Sequence, residues 1–166
     1  MKYSFKNDYS EGCHPKILEA LSQYNLDQQN GYGLDIYSEN TANIIREKTK
    51  SPQSRVHLVS GGTQANLIVI SSILRPHESV VSANTGHIFT NETGAIEATG
   101  HKVHGVETKD GKLRPEDIQN VLDVHTNVPH QVKQKLVYIS NSTEVGTIYT
   151  KKELENLSEF CKKKNL

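Results

Sequence analysis

The chain of 166 residues has no tryptophan, a single methionine and only two cysteines, Cys13 and Cys161. The cysteines lie near opposite ends with no Cys-x-x-Cys spacing, which predicts free thiols in a reducing compartment rather than a disulfide scaffold. The formal net charge is zero, because 19 basic residues balance 19 acidic ones. The chain therefore lacks the excess of positive charge that is typical of proteins that bind nucleic acid or an anionic membrane surface.

Long apolar runs are absent as well, since hydrophobic residues make up 34% of the chain and the mean hydropathy is −0.60. No stretch is long enough to span a bilayer, and the first residues do not resemble a signal peptide. We therefore expect a cytoplasmic protein without a membrane partner. The length suits one globular domain with its own core, although the apolar content is low for a domain of this size.

The spacing of apolar residues predicts two helices first, one from Pro15 to about Tyr24 and one that begins near Ser38 and carries Ile44 and Ile45. From there strands and helices alternate, which predicts an α/β fold: an αβα sandwich around a mostly parallel sheet. The predicted strands are 55–59, 79–83, 102–107 and 135–140. The predicted helices are 64–74, 91–99, one that opens at 114–118, and 151–164.

Two adjacent glycines, Gly61 and Gly62, stand where the first predicted strand gives way to a helix. Amides at a helix N-terminus lack intrahelical partners and carry partial positive charge, so the junction fits an anion, with the Thr63 hydroxyl as a further donor. The glycines equally fit a tight turn that needs positive φ. Established nucleotide motifs do not match: there is no G-x-x-x-x-G-K-[ST], and a third glycine is missing after Gly31 and Gly33.

His87 follows the next predicted strand. In open parallel sheets ligands lie beyond the carboxyl ends of the strands, so the loops of Gly61 and His87 are expected on the same rim. An imidazole there can stack on an aromatic cofactor or move a proton near neutral pH. A lone histidine is more often a surface residue or one with a purely structural role.

No metal site is predicted. His101 and His104 fall on a predicted strand, where an odd spacing sends them to opposite faces. His125 and His130 flank a proline-containing loop without further Cys or His at ligand spacing. A G-x-S-x-G nucleophile motif is also absent.

Five motifs occur along the chain in a fixed order, and together they are far more specific than any one of them. The motifs are FKNDYSEGCHP at 5–15, GYGLD at 31–35, SGGTQAN at 60–66, TGH at 85–87 and ETGAIEATGHK at 92–102. In this combination the chain resembles the N-terminal half of the low-specificity L-threonine aldolase and aromatic amino acid β-eliminating lyase family, whose members are fold-type-I enzymes that use pyridoxal 5'-phosphate (PLP). The resemblance covers essentially the whole chain.

The resemblance implies roles for individual residues around the cofactor. The backbone amides of Gly61, Gly62 and Thr63 would bind the PLP phosphate. His87 would stack on the pyridine ring and take part in proton transfer from the substrate hydroxyl, which makes it the implied catalytic residue. Thr143 and Glu144 would border the ring, although many members have histidine where Glu144 stands.

Substrate contacts and partners are implied in the same way. The N-terminal segment contributes to binding the substrate carboxylate, here through Asn7 and Asp8, with Asn7 where serine is usual. Tyr32 matches a loop tyrosine near a site built at a subunit interface. The implied partners are an amino acid substrate and a second copy of the chain, in a homo-oligomeric dimer or tetramer, or else a missing C-terminal half.

The implied reaction is retro-aldol cleavage of L-threonine or a related β-hydroxy amino acid to glycine and an aldehyde, with PLP as electron sink.

The last predicted helix has no strand after it, although a right-handed βαβ succession continues into the sheet. The family's pyridine-nitrogen aspartate and its Schiff-base lysine are expected beyond Leu166. We therefore expect residues 1–166 to be a single incomplete domain, with 1–40 as an arm with active-site loops and 41–166 as the first part of the PLP-binding large domain. Such a truncated chain is expected to be inactive alone; the alternative is a non-catalytic remnant that binds phosphate ligands or a partner.

Overall fold

The computed structural model describes residue 4 and residues 11–166, so Asn7 and Asp8 lie outside the described residues. The chain forms two compact units, Met1–Leu58 and Val59–Leu166. The boundary predicted at residue 40 stays a prediction. Both described cysteines are free thiols, Cys13 exposed and Cys161 partly buried.

The first unit contains the two predicted helices, α1 (Pro15–Tyr24) and α2 (Ile36–Lys48). Proline opens α1, where its missing N–H costs no hydrogen bond. The carboxylate of Asp35 caps α2 by accepting hydrogen bonds from the amide and the hydroxyl of Ser38, at 2.8 and 2.6 Å. These bonds stabilise the ionised carboxyl group and lower the pKa of Asp35.

The strand predicted at 55–59 is wrong. The structure gives these residues no regular secondary structure, and the side chains of Leu58 and Val59 are exposed. A buried strand needs a neighbour that satisfies its amides and carbonyls. Within the described ranges the sheet has three strands, and none of them pairs with this segment. An apolar, β-branched composition was therefore not sufficient to make a strand.

The second unit is built on a parallel sheet of strand order β2-β1-β3. Its strands are β1 (Glu78–Ala83), β2 (Val103–Val106) and β3 (Lys133–Val137), and all three fall within predicted strand regions or overlap them. Val80 lies opposite Val103 on one side and Leu136 on the other. The helices are α3 (Gly62–Ile73), α4 (His87–Thr90), α5 (Pro115–Val124) and α6 (Lys151–Lys164).

Two separate cores cover the two faces of this sheet, which confirms the α/β fold and the αβα layering. One core packs α3 and the segment after β1 against the sheet: Ile70, Leu74, Val80, Ile88, Ile96 and Val103. The other packs α5 and α6 against the opposite face: Val81, Ala83, Leu113, Ile118, Tyr149 and Leu157. Alternate residues of β1 thus point into different cores, as the pleat of a strand covered on both faces requires.

The continuous helix predicted at 91–99 is also wrong. The structure has the short helix α4 before this region and a single 3₁₀ turn at its end, Glu97–Thr99. Thr93 and Gly94 lie between them with φ of 51° and 78°, in the left-handed region that ends a right-handed helix. Gly100 closes the 3₁₀ turn with φ of 88°, as predicted for a C-terminal glycine.

Candidate cofactor-binding site

The N-terminus of α3 is open. Gly61 precedes the helix with φ of 173° and ψ of 177°, and no described side chain caps the first turn. A Cβ placed on Gly61 or Gly62 would meet no atom of the described residues within 4 Å. Neither residue has a left-handed φ, so the tight-turn interpretation is wrong. What the glycines provide is free space beside the positive end of a helix of more than three turns, which suits an anion.

Ser60 is folded back onto this helix. Its amide and its hydroxyl both donate to Oε1 of Gln64, at 2.8 and 2.9 Å. The side chain of Gln64 therefore holds the segment that enters the helix. Within the described ranges the amides of Gly62 and Thr63 have no side-chain acceptor. Gly61, Gly62 and Thr63 are all exposed.

His87 is the first residue of α4, directly after the loop that follows β1. Its backbone N–H donates to Oε1 of Glu144 at 2.8 Å. Its ring nitrogen Nδ1 lies 2.9 Å from Oε1 of Glu92, and 45% of the side chain is exposed. The imidazole is thus fixed along one edge while the rest of the ring remains accessible.

Glu92 connects His87 to α3. Its side chain is completely buried, and the same Oε1 that faces His87 also accepts a hydrogen bond from Nδ2 of Asn66 at 2.6 Å. Asn66 lies on α3 one turn after Gly62. The open helix end and the accessible imidazole therefore belong to one hydrogen-bonded unit, which we call the Asn66–Glu92–His87 triad.

Further polar atoms collect at the carboxyl ends of the strands. Oδ1 of Asn84 and Oγ1 of Thr85 follow β1, and Oγ1 of Thr108 follows β2; within the described ranges none of these buried atoms has a hydrogen-bond partner. Buried polar groups are rarely left unpaired, and such exceptions mark places where water or a ligand completes the structure. Here they share the sheet edge where parallel α/β folds bind ligands.

Thr143 and Glu144 form the third segment of the site. Glu144 is exposed, and its Oε1 accepts from the hydroxyl of Ser140 at 2.5 Å as well as from the amide of His87. The hydroxyl of Thr143 is buried and lies 2.7 Å from that of Thr147, inside the turn that Thr143 opens. Glu144 is thus brought together with His87, whereas the hydroxyl of Thr143 is used within its own turn.

The predicted substrate-binding residues are Asn7, Asp8 and Tyr32. Tyr32 belongs to the first unit, where its side chain is fully exposed and its φ is 64°. Asn7 and Asp8 lie outside the described residues. Their roles stay predictions.

Among the residues that the structure describes, no group of three or more His, Cys, Asp or Glu side chains is arranged to hold a metal ion. None of the helices in the described part of the chain is both long enough and apolar enough to cross a membrane.

Glu92 and Asn66 were missed as functional residues by the sequence analysis. Both stand inside recognisable motifs, but they are separated by 26 residues. Hydrophobic periodicity carries no information about such a pairing. The one available signal was an acidic residue inside a stretch that otherwise supplies core residues such as Ile88 and Ile96.

A parallel αβα unit with a glycine-opened helix and a histidine at the carboxyl edge of its sheet has the architecture of the large domain of fold-type-I PLP enzymes. Sequence and structure comparisons agree with this class. The model of the beta-eliminating lyase family matches residues 9–166, and the chain belongs to that family. Members of the family use PLP.

Three similar proteins illustrate the relationship. A low specificity L-threonine aldolase from a Pseudomonas species is 31% identical over 98% of this chain, and one from Pseudomonas aeruginosa is 29% identical over 98%. A structure of Leishmania major threonine aldolase is 53% identical and matches 99% of the chain with a TM-score of 0.93. The chain spans about half the length of these relatives: 47% of each Pseudomonas protein and 48% of the Leishmania chain.

Proposed function

We propose that this chain forms the phosphate-binding and ring-facing part of a PLP-dependent lyase, which cleaves L-threonine or a related β-hydroxy amino acid to glycine and an aldehyde. The observation that carries the proposal is the connection of an open helix N-terminus to an accessible imidazole through Asn66 and Glu92. The names of the similar proteins support the substrate class.

The residues present fit the cofactor. The open space at Gly61 and Gly62 lets a phosphate approach the amides of Gly62 and Thr63, and the positive end of α3 favours its charge. The hydroxyl of Thr63 can add a hydrogen bond. The His87 side chain is 45% exposed, which leaves room for the pyridine ring to stack on it, and Glu144 lies beside its backbone. When bound, PLP draws electrons away from Cα of the amino acid.

The proton chemistry belongs to His87. Its Nδ1 faces Glu92, so Nε2 is the nitrogen left to accept the proton of the substrate β-hydroxyl, which must leave before the Cα–Cβ bond breaks. A positioned general base of this kind contributes about 10²- to 10⁴-fold to rate. Asn7, Asp8 and Tyr32 are proposed to bind the rest of the substrate.

A complete site is proposed to need more polypeptide, either a complementary C-terminal half or a second copy of the chain. Apolar side chains on the outer face of α3 support this, because Ile68, Val69 and Ile73 are each about half exposed. Three lysines of the second unit are engaged in polar contacts of their own: Lys112 with Glu153, Lys135 with the Asn165 carbonyl and Lys151 with Glu155. We therefore expect the chain alone to be inactive.

The proposal is tested first by binding. Pyridoxine 5'-phosphate and pyridoxine both lack the aldehyde, so neither reacts with surface lysines. Isothermal titration of the chain should show binding of the phosphate ester and at least about tenfold weaker binding of pyridoxine, as expected for an anion-dependent site. Equal binding of the two probes would show that Gly61, Gly62 and Thr63 do not form a phosphate-binding site.

Activity is tested by complementation. The chain is incubated with PLP and L-threonine, alone and together with the C-terminal half of a threonine aldolase, and glycine and acetaldehyde are measured. We expect no cleavage by the chain alone, no single borohydride-reducible lysine adduct, and cleavage by the pair. Phosphate-dependent binding without cleavage by a soluble, associated pair would instead support the non-catalytic alternative.

A further inference from the structure

Glu92 is a buried carboxylate whose position is not explained by packing. Its side chain has no exposure, and its ion-pair partner in the described part of the chain is His87. Burial of a carboxylate is costly unless donors surround it. Asn66 supplies one donor to Oε1, while Oε2 has no hydrogen-bond partner in the ranges described. Because burial of the Glu92 carboxylate is unfavourable, its contact with Nδ1 of His87 points to a functional role.

We propose that Glu92 is a positioning residue that fixes the tautomer of His87, with the hydrogen on Nδ1 and the lone pair on Nε2. An ionised carboxylate only accepts hydrogen bonds, so a neutral imidazole 2.9 Å away must present its N–H to it. The other ring nitrogen is then an acceptor. The same logic applies in Ser-His-Asp triads, where a buried carboxylate holds the catalytic imidazole in one tautomer.

Asn66 strengthens this assignment. Its amide N–H₂ donates to the same oxygen that faces His87, which marks Oε1 as an acceptor. If Glu92 were protonated on Oε1 and donated to Nδ1, that oxygen would have to donate one hydrogen bond while it accepts another at 2.6 Å, and Nε2 would carry the hydrogen. The two arrangements predict opposite tautomers and are therefore distinguishable.

The contact with Glu92 also determines which ring nitrogen of His87 can face a substrate. The side of the ring that carries Nδ1 is held by Glu92, and the backbone amide of His87 is held by Glu144. Only Nε2 remains for a substrate group, and it is unprotonated in the neutral ring. This role of Nε2 rests on the proposed function; the tautomer itself does not.

The tautomer can be measured directly by long-range ¹H–¹⁵N correlation spectra of the ¹⁵N-labelled chain without cofactor, at a pH where His87 is neutral. His87→Asn assigns the signals. We expect a protonated Nδ1 and a bare Nε2 in the wild type. Glu92→Gln should keep this pattern, since the amide oxygen can accept from Nδ1, whereas Glu92→Leu should lose it. Glu97→Gln is the matched control, because Glu97 is exposed and five positions further on, and should behave as the wild type.

A wild type with hydrogen on Nε2 would overturn the proposal even if no variant folds. So would an unchanged tautomer in a folded Glu92→Leu protein. In the complemented enzyme, Glu92→Leu should lower kcat by about 10²-fold with little change in KM, and Glu92→Gln should recover part of it. Failure of the proposed lyase function would appear as absent threonine cleavage and would leave the tautomer result standing.

Discussion

Nε2 of His104 lies 3.1 Å from Oγ of Ser79 on the neighbouring strand, and both side chains are buried within the second unit. Nε2 of Gln134, on the third strand, lies 3.2 Å from the same ring nitrogen. The amide N–H₂ of Gln134 can only donate, so Nε2 of His104 is an acceptor in this arrangement. A buried neutral imidazole therefore ties the three strands together.

This arrangement predicts a stability loss in mild acid. Burial lowers the pKa of His104 from 6.5 to about 4, with a further contribution from electrostatic repulsion by His125 and Lys102. Between these values the unfolded chain binds a proton that the folded chain does not. The contribution of neutral His104 to the free energy of unfolding is therefore fully present above about pH 6.5. It is lost as the pH drops toward 4, by up to about 3 kcal/mol.

Urea unfolding across pH 4.5–7.5 measures this loss. His104→Gln should flatten the profile over that range, even if it lowers stability at neutral pH. His130→Gln is the control because His130 is exposed, and it should leave the slope unchanged. An equally steep profile in both variants would assign the acid sensitivity to other groups.

Gly62→Ala should separate ligand binding from folding. The added Cβ meets no atom of the described residues within 4 Å, and alanine favours the helix, so the free energy of unfolding should stay the same or rise by up to about 1 kcal/mol. The same Cβ would crowd a phosphate at the amides of Gly62 and Thr63. Affinity for pyridoxine 5'-phosphate should fall at least about tenfold, measured by titration calorimetry. A variant with unchanged affinity would show that the phosphate does not lie there.

Gly86→Ala should have the opposite pattern and destabilise the fold. Its Cβ would lie 2.2 Å from Oγ of Ser82 and 3.0 Å from the carbonyl oxygen of Ala83, in a buried part of the sheet edge. Relief of these contacts should cost about 1–3 kcal/mol, seen as a lower urea midpoint. In a Ser82→Ala background part of this cost should disappear, because the nearest atom is removed. A cost that is identical in both backgrounds would contradict the contact.

His87→Asn should impair threonine cleavage in the complemented enzyme and leave phosphate-dependent binding intact. Asparagine keeps the backbone N–H that donates to Glu144, but it has no proton acceptor equivalent to Nε2. We expect kcat to fall by about 10²- to 10⁴-fold, while pyridoxine 5'-phosphate still binds at least about tenfold more tightly than pyridoxine. Normal turnover in this variant would remove His87 from the proton transfer.

The elements that sequence analysis located well are those with local signals. α1 begins at its proline and α6 at the capping box of Thr150 and Glu153, and both were predicted to within a residue or two. The two wrong elements depended on information outside the segment. Residues 55–59 needed a neighbouring strand, and the helix predicted at 91–99 was broken by the left-handed backbone of Thr93 and Gly94.

The residues of the candidate site likewise differ in whether they carry a local sequence signal. Gly61, Gly62 and His87 could be proposed from the sequence, because two adjacent glycines are a signal in themselves and His87 follows the strand predicted at 79–83. Glu92 and Asn66 could not, since their contact joins α3 to a loop 26 residues later. Side chains that act through another residue leave no periodic pattern, so only the folded chain reveals them.

The Asn66–Glu92–His87 triad also constrains how this sequence can change. Loss of Asn66 or His87 would leave the buried carboxylate of Glu92 short of a donor, and loss of Glu92 would leave the partly buried amide of Asn66 without this acceptor. Substitutions at the three positions are therefore tolerated jointly rather than singly. Glu144, which is exposed and contacts His87 through the backbone, escapes this constraint. Variation among related proteins should accordingly concentrate at position 144 and spare positions 66, 87 and 92, so that substrate preference can diverge around an invariant imidazole.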